Sequence, residues 1–462
     1  MDATRRAEKQ RLLAEAARRA GAYLDRDAEA PVFPSAESEA ALDGLTDRLS
    51  DDGSDAMDVL AQLDRLGSPA TVRTNGGRYF GFVNGGSEPE ALAANVLASV
   101  WDQNAALPVM SPVAARLDEI ASRWIVEILG LPAAATGGFC AGAAVANLTC
   151  VVAARDALLM RDGWDVAERG LVGAPPLQIV ASEEIHIAVL KALRVAGLGT
   201  GSVTFVPTDD EGRVRADALP PLGPRALVLL QAGNVNTGHS DPFPAAADAT
   251  SAAGGWLHID GAFGLWAAAS PTRRRLVAGA ERADSWAVDA HKWLNVPYDS
   301  ALAVCARGED LRRSMAMNAA YLPADAARAS MHLGLQMSQR ARAVDTWAVL
   351  ATKGRRGVAE MIDHTCELAA RMADALRAEG VQLLAEPVLN QVLVAFRDDA
   401  TTLATIAAVQ DGRRAWVGGT VWKGRQAMRI SCSDTMATTV DVDDAVDAIL
   451  RAWRSVEVQA DE

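Results

Sequence analysis

A lysine that follows a short apolar run is the side chain of this sequence best placed to act as a nucleophile. Residues 286–288 (Trp-Ala-Val) predict a buried strand, and polar residues follow it as far as Lys292. Open α/β sheets bind their ligands outside the carboxyl ends of the strands, which is where Lys292 would lie. Partial desolvation between His291 and Trp293 would favour the neutral amine, which is the nucleophilic form. A solvated lysine at a strand end is the alternative, so the surrounding motifs must decide.

Two more candidate groups lie at or after the ends of predicted strands. Asp260 closes the predicted strand 256–260, and its carboxylate could bind a metal or hold a cationic heterocycle nitrogen. No cluster of histidine, aspartate and glutamate joins it at ligand spacing, so the sequence predicts no metal site. His186 follows the predicted strand 177–181 after a short turn, and a lone histidine in such a place is more often structural than functional.

A run of small residues at 137–147 predicts a turn that leads into a helix from about 148 to 161. Free backbone N–H groups at the start of such a helix can bind a phosphate. No Gly-Lys-Ser/Thr follows the turn, so it is not a nucleotide P-loop. A phosphate site, a flat imidazole, a strand-end carboxylate and a strand-end lysine are together the groups that hold pyridoxal phosphate (PLP).

The sequence resembles the PLP-dependent amino acid decarboxylases of group II, the aromatic amino acid and glutamate decarboxylase type. The resemblance runs from about Gly77 into the C-terminal part of the chain. The segments that carry it are 111–112 (Ser-Pro), 147–148 (Asn-Leu), 153–155 (Ala-Ala-Arg), 182–186 (Ser-Glu-Glu-Ile-His), 258–262 (His-Ile-Asp-Gly-Ala), 289–293 (Asp-Ala-His-Lys-Trp) and 429–431 (Arg-Ile-Ser).

The resemblance assigns a role to each matching side chain. It implies that Lys292 bonds covalently to the cofactor and that Asp260 is the partner of the pyridine nitrogen. Ala262 would lie under the cofactor ring, and His186 would be the imidazole stacked on it. His291 would lie by the phosphate.

A catalytic tyrosine is also implied, and Tyr321 stands at the matching place after the lysine, in a chain with four tyrosines. Two segments depart from the family pattern. Ala143 and Ala144 stand where a hydroxyl-bearing residue is common, so the phosphate contacts there would come from backbone amides. At 234–237, Asn-Val-Asn-Thr replaces a common Gly-Thr-Thr, which leaves the cofactor contact with Asn234 or with Thr237.

The reaction that the resemblance implies is removal of the α-carboxylate of an L-amino acid, giving an amine and CO₂. The predicted mouth of the substrate pocket includes Phe80, Phe82, Trp101 and Asn104, some of them contributed by a second subunit. Their aromatic rings slightly favour an aromatic substrate, whereas Gly85-Gly86 and the polar run 102–104 would suit a small or polar one.

Three alternatives to this reaction stay open. Decarboxylation with oxidative deamination would give an aldehyde, and a tyrosine at position 321 disfavours it. Another PLP-dependent carbon–carbon lyase reaction is the second alternative. A relative that binds no cofactor and acts as a binding protein is the third, and the intact set of Lys292, Asp260 and His186 argues against it.

Composition excludes several other classes of protein. The chain has 462 residues with a net charge of −14, which argues against nucleic acid or an anionic membrane as its partner. Five cysteines without C-x-x-C spacing predict reduced thiols and a cytoplasmic location. The charged N-terminal segment lacks the apolar core of a signal peptide, and no run is long and apolar enough to predict a membrane span.

Strands and helices alternate along the middle of the chain, which predicts an α/β fold with a mostly parallel sheet. The resemblance implies the PLP-dependent aminotransferase-like fold (fold type I). We expect an N-terminal helical arm and dimerisation segment at 1–76, a large cofactor-binding domain at 77–350 and a small α+β domain at 351–462. The arm has too little core to fold alone, and the resemblance implies a homodimer with active sites at the subunit interface.

Overall fold

The computed structural model describes residues 3–25, 30–49, 51–317 and 329–461. Short 3₁₀ and π turns connect several of its elements. The α-helices of the described residues are α1 (Ala3–Leu24), α2 (Ala36–Ala40), α3 (Ala56–Gln62), α4 (Pro89–Trp101), α5 (Pro112–Ile128), α6 (Ala143–Arg161), α7 (Val166–Arg169), α8 (Ile187–Val195), α9 (Phe243–Ala253), α10 (Gly308–Met315), α11 (Ala343–Ala378), α12 (Asp399–Gly412) and α13 (Thr439–Asp461).

The strands form two separate sheets, of seven strands and of four. The larger sheet has the order β1-β7-β6-β5-β4-β2-β3, and the smaller has the order β10-β11-β9-β8. The strands are β1 (Thr136–Cys140), β2 (Gln178–Ser182), β3 (Val203–Val206), β4 (Ala226–Gln231), β5 (Trp256–Asp260), β6 (Ser285–Asp289), β7 (Ala301–Cys305), β8 (Gln382–Leu383), β9 (Gln391–Ala395), β10 (Gly418–Trp422) and β11 (Arg425–Ser431).

The larger sheet is parallel from β3 through β6, and β7 runs antiparallel between β6 and β1. All residues of β4, β5, β6 and β7 are buried. Successive residues alternate between two cores: Leu227 and Leu229 belong to one, and Val228 and Leu230 to the other. A sheet buried on both faces by helices is the architecture expected of a parallel α/β fold, which confirms the predicted fold class.

The smaller sheet is antiparallel and packs with α12, α13 and the C-terminal half of α11. Phe80 is buried in the core of this unit, and the N–H of Phe80 donates to the carbonyl of Trp416 at 2.9 Å. The helix α11 runs through the predicted boundary at residue 350 and is interrupted at Gly354, where φ is 59°. The division at 77 and 351 stays a prediction, but the segment around Phe80 clearly packs with the C-terminal unit.

The predicted elements that position the site are present with small shifts. The predicted strands 226–231 and 256–260 are β4 and β5, and the predicted strand 286–288 gains one residue at each end in β6. The predicted turn 137–147 instead holds the strand β1 and the first turn of α6. A Cβ at Gly137 would come within 2.7 Å of the Leu302 side chain, so glycine allows β1 to pair closely with β7.

The helix α6 has the length and apolar content of a membrane span, the only such helix among the described residues. It contacts β5, β6 and β7, and most of it is buried inside the protein. Its apolar character therefore comes from its place in the core. This packing fixes the start of α6 beside the ends of β5 and β6.

Candidate active site

A cavity of about 340 Å³ lies at the carboxyl ends of β4, β5 and β6, beside the start of α6. It brings together eight of the residues predicted from the sequence, which are Phe82, Ala143, Ala144, His186, Asp260, Ala262, His291 and Lys292. A larger cavity of about 520 Å³, next to Leu129 and Arg274, contains none of them. The smaller cavity is therefore the candidate active site.

Lys292 forms an ion pair inside this cavity. Its Nζ lies 3.0 Å from Oδ2 of Asp289, and the two side chains are 21% and 2% exposed. Oδ1 of Asp289 is buried without a hydrogen-bond partner in the described structure. The sequence analysis gave Asp289 no role, although it is the last residue of β6 and precedes the lysine by three positions. The pair holds Lys292 against the sheet edge and away from bulk solvent.

Asp260 presents one free carboxylate oxygen to the cavity. Its Oδ1 accepts a hydrogen bond from the N–H of Ala262 at 3.1 Å, which orients the carboxylate in the turn after β5. Its Oδ2 has no hydrogen bond to any of the described residues. A buried carboxylate with a free oxygen can accept a bond from a protonated ring nitrogen and stabilise its positive charge.

His186 is held as the N-cap of α8. Its Nδ1 accepts a hydrogen bond from the N–H of Ala188 at 3.2 Å, which assigns the proton of a neutral ring to Nε2. Burial lowers the pKa of His186, and the nearby carboxylate of Asp260 opposes this shift. The imidazole is therefore neutral at neutral pH, and its flat face suits stacking on an aromatic ring.

The start of α6 offers an anion site. The N–H groups of Val145 and Ala146 both donate to the carbonyl of Gly142, whereas those of Ala143 and Ala144 have no acceptor within the helix. A Cβ at position 142 would come within 3.3 Å of Cε1 of His291. Glycine thus leaves space between the helix start and the imidazole, at the place where the phosphate was expected.

His291 is fixed on two sides. Its Nδ1 accepts a hydrogen bond from the N–H of Ser300 at 3.2 Å, and its ring centroid lies 4.5 Å from that of Tyr298. Burial lowers the pKa of His291, with the carboxylate of Asp289 acting in the opposite direction. The sequence motif pointed to His291, but Tyr298 follows it by seven positions and was not predicted.

Arg429 is the functional candidate that the sequence analysis left without a role. It extends from β11 of the smaller sheet and lines the cavity with Lys292 and His186. Its guanidinium makes no hydrogen bond or ion pair within the described ranges of the chain. Burial lowers the pKa of Arg429, although a guanidinium keeps its charge at neutral pH. The cavity therefore contains an unpaired cation that could receive a carboxylate.

Four of the predicted site residues lie away from this cavity. Asn234 is buried, and its Oδ1 accepts from the N–H groups of Asn236 and Thr237, closing a local turn. Phe80 belongs to the core of the smaller unit. Trp101 is 41% exposed at the end of α4, and Asn104 caps a turn by accepting from the N–H of Ala106.

Thr237, the alternative to Asn234, donates its hydroxyl hydrogen to the carbonyl of Glu211 at 2.7 Å. The wall of the cavity beside this segment is instead formed by Gln231, Gly233 and Val235. Tyr321 lies outside the described residues, so its predicted role stays a prediction.

The residues of the cavity fit PLP. An amine, a carboxylate with a free oxygen and a helix start with free N–H groups match the aldehyde, the ring nitrogen and the phosphate of that cofactor. They are supplied by Lys292, Asp260 and α6. Gly142 also leaves unfilled a space that a side chain would occupy. Among the described residues no cluster of histidine, cysteine, aspartate and glutamate could hold a metal ion.

Comparison with known proteins agrees with this donor set. The model of the pyridoxal-dependent decarboxylase conserved domain matches residues 41–398. An aromatic-L-amino-acid decarboxylase of Bacillus atrophaeus is 27% identical over 352 residues, 73% of this chain and 71% of its own length. Human cysteine sulfinic acid decarboxylase is 30% identical over 336 residues, 69% of this chain and 66% of its own.

A solved structure described as Oryza sativa TDC with PLP and tryptamine superposes with a TM-score of 0.89. The match covers 98% of this chain and 99% of that one, at 21% sequence identity. This likeness confirms the overall fold, including the smaller C-terminal unit. The curated relatives differ in the substrates that their names give, so they do not specify one here.

Proposed function

The chain belongs to the pyridoxal-dependent decarboxylase family, and on that premise we propose that it removes the α-carboxylate of an L-amino acid. The amino acid takes up one proton and gives CO₂ and the corresponding amine. The observation that carries the proposal is the convergence of Lys292, Asp260, His186 and Arg429 on one cavity.

When bound, PLP supplies an electron-withdrawing ring that takes up the electron pair of the bond broken at Cα. Lys292 provides the amine that holds this group. Asp260 favours a protonated ring nitrogen, because its free carboxylate oxygen stabilises the positive charge. His186 contributes a neutral flat face and an Nε2–H that can move a proton. The buried walls exclude water from Cα.

Arg429 is proposed to bind a carboxylate of the substrate. A guanidinium and a carboxylate form charge-assisted hydrogen bonds, and nothing in the described structure competes for this one. We favour an aromatic side chain for the substrate because Phe82, Val83 and Val235 supply an apolar wall. An acidic side chain is the second candidate, and the free cation at Arg429 is the observation that favours it.

The direct test is to incubate the purified protein, loaded with PLP, with each of the common L-amino acids and to measure CO₂ and amine. We expect one amine to form in equal amount to CO₂. Turnover of L-tyrosine, L-phenylalanine or L-tryptophan would support an aromatic substrate, and turnover of L-glutamate or L-aspartate an acidic one. Absence of CO₂ from every amino acid would overturn the proposal.

Tyr321 is proposed as the acid that delivers the proton to Cα. Tyr321→Phe keeps the ring and removes that proton, so we expect amine formation to fall at least about a hundred-fold. The reactive Cα would then be open to dioxygen, and product would shift to the aldehyde with ammonia and hydrogen peroxide. Product analysis under air and under nitrogen measures this shift. Amine formation at the parental rate in both gases would show that another group supplies the proton.

We also propose that the enzyme is a homodimer. One face of α4 is apolar and exposed, and its residues follow helical spacing. They are Leu92, Val96, Leu97, Val100 and Trp101. A second copy packed on this face would bury them and could bring Trp101 to an active site, as expected from the sequence. Sedimentation of the full chain should give a dimer, and a fully active monomer would contradict the proposal. The cytoplasmic location stays a prediction.

A further inference from the structure

Asn295 lies three residues after the cavity lysine and has no solvent exposure. Its backbone is left-handed, with φ of 52°, a conformation that asparagine tolerates better than most residues. Its own N–H donates to the carbonyl of Lys292 at 3.2 Å, and its carbonyl accepts from the N–H of Glu88 at 2.8 Å. The residue therefore closes the turn that carries the lysine.

The oxygen of the Asn295 carboxamide joins two distant parts of the chain. Oδ1 accepts from the N–H of Gly86 at 2.6 Å, from the N–H of Thr435 at 3.1 Å and from the hydroxyl of Thr435 at 3.2 Å. Gly86 belongs to the glycine-rich segment at the cavity mouth. Thr435 follows β11, the strand that carries Arg429.

The nitrogen of the same carboxamide points to backbone carbonyls. Nδ2 donates to the carbonyls of Lys292 and Trp293, each at 3.2 Å, and to that of Ser433 at 3.0 Å. One buried side chain thus accepts from one set of groups and donates to another. An aspartate could not donate, and an aliphatic side chain could do neither. The position requires a carboxamide.

The glycine-rich segment is pressed against the same turn. A Cβ at Gly85 would overlap the carbonyl oxygen of Lys292, and one at Gly86 would overlap the carboxylate of Asp434. The lysine turn therefore packs directly against the segment 85–86 on one side and the segment 433–435 on the other, and Asn295 bonds both.

From these contacts we propose that Asn295 is a positioning residue that fixes the separation between the Lys292 turn and the strand that carries Arg429. The inference rests on the proposed function, in which Lys292 holds the cofactor and Arg429 binds the substrate carboxylate. Those two groups come from different sheets, so neither sheet alone sets their spacing. Asn295 is the buried side chain that bonds both the lysine turn and the segment after β11. A substrate that bridges the two sites depends on that spacing, whereas a ligand that uses one site does not.

The test compares the amino acid that turns over fastest with the amine that it forms, which lacks the carboxylate. In Asn295→Asp the acceptor oxygens remain and the donor is lost. Misplacement of reacting groups by about 1 Å can cost about a hundred-fold in rate, so we expect a loss of this order in kcat/KM. The dissociation constant of the amino acid should rise at least about ten-fold, while those of the amine and of PLP stay at the parental values.

Asn295→Gly is the second variant, because glycine accepts the left-handed backbone and introduces no buried charge. It should show the same selective loss of amino acid binding. Asn390→Asp is the matched control: Asn390 is also fully buried and bonds the Ser433 hydroxyl at 3.0 Å, but it has no contact with the lysine turn. It should leave the ratio of amino acid to amine affinity unchanged.

Equal losses of amino acid, amine and PLP affinity in both Asn295 variants would show a general structural role and overturn the inference. Unchanged amino acid affinity would overturn it as well. Arg429→Gln separates this outcome from a failure of the proposed function. If Arg429→Gln binds amino acid and amine like the parent, the assignment of Arg429 is wrong whatever the Asn295 variants do. A selective loss in Arg429→Gln alone rejects only the role of Asn295.

Discussion

Lys292→Ala is expected to give a folded protein that forms no covalent bond with PLP and loses turnover by at least about a thousand-fold. The lysine side chain is 21% exposed and forms an ion pair with Asp289, so it contributes chemistry more than core packing. Visible absorbance of the protein with PLP, borohydride reduction and peptide mass analysis measure the covalent bond. A reducible adduct on another lysine, with turnover retained, would contradict the assignment.

A second variant separates the chemistry from stability. Lys292→Ala leaves the buried carboxylate of Asp289 without its cation, which costs up to about 3 kcal/mol at a site that retains some solvent. The double variant Lys292→Ala/Asp289→Asn removes both charges. We expect its melting temperature to return toward that of the parent while turnover stays lost. Turnover restored in the double variant would show that destabilisation had caused the loss.

The sequence was sufficient to predict the parts of the site that depend on local pattern. The strands β5 and β6 are short, wholly buried runs that end in polar residues, so Asp260 and Lys292 could be placed at the sheet edge. His186 and the start of α6 follow from the same alternation of strand and helix. The common edge of parallel strands then brings these groups together without further information.

Residues whose position depends on contacts between distant segments could not be predicted in this way. Arg429 reaches the cavity from the smaller sheet, and nothing near it in the sequence indicates that approach. Phe80 and Phe82 would share one side of a regular strand. Phe82 has a φ of 52°, so the alternation ends there: Phe80 turns into a core and Phe82 lines the cavity. The aromatic pattern alone could not separate them.

Asp260→Asn is expected to lower kcat by about a hundred- to a thousand-fold, the range found when one electrostatic contact to a reacting centre is removed. Asparagine keeps the shape and can still accept from the N–H of Ala262, a bond of 3.1 Å in the parent. What it loses is the negative charge that favours a protonated ring nitrogen. The melting temperature should change little, because the carboxylate makes no other bond among the described residues.

A PLP analogue that is methylated on the ring nitrogen carries a permanent positive charge, so it supplies what the asparagine variant cannot maintain. We therefore expect this analogue to raise the kcat of Asp260→Asn and to give the parent enzyme no advantage. Asp241→Asn is the control, because Asp241 is buried and its carboxylate accepts from the N–H groups of Val214 and Gln231 instead of facing the cavity. Rescue of Asp241→Asn, or none of Asp260→Asn, would mean that the charge of Asp260 does not act on the ring nitrogen.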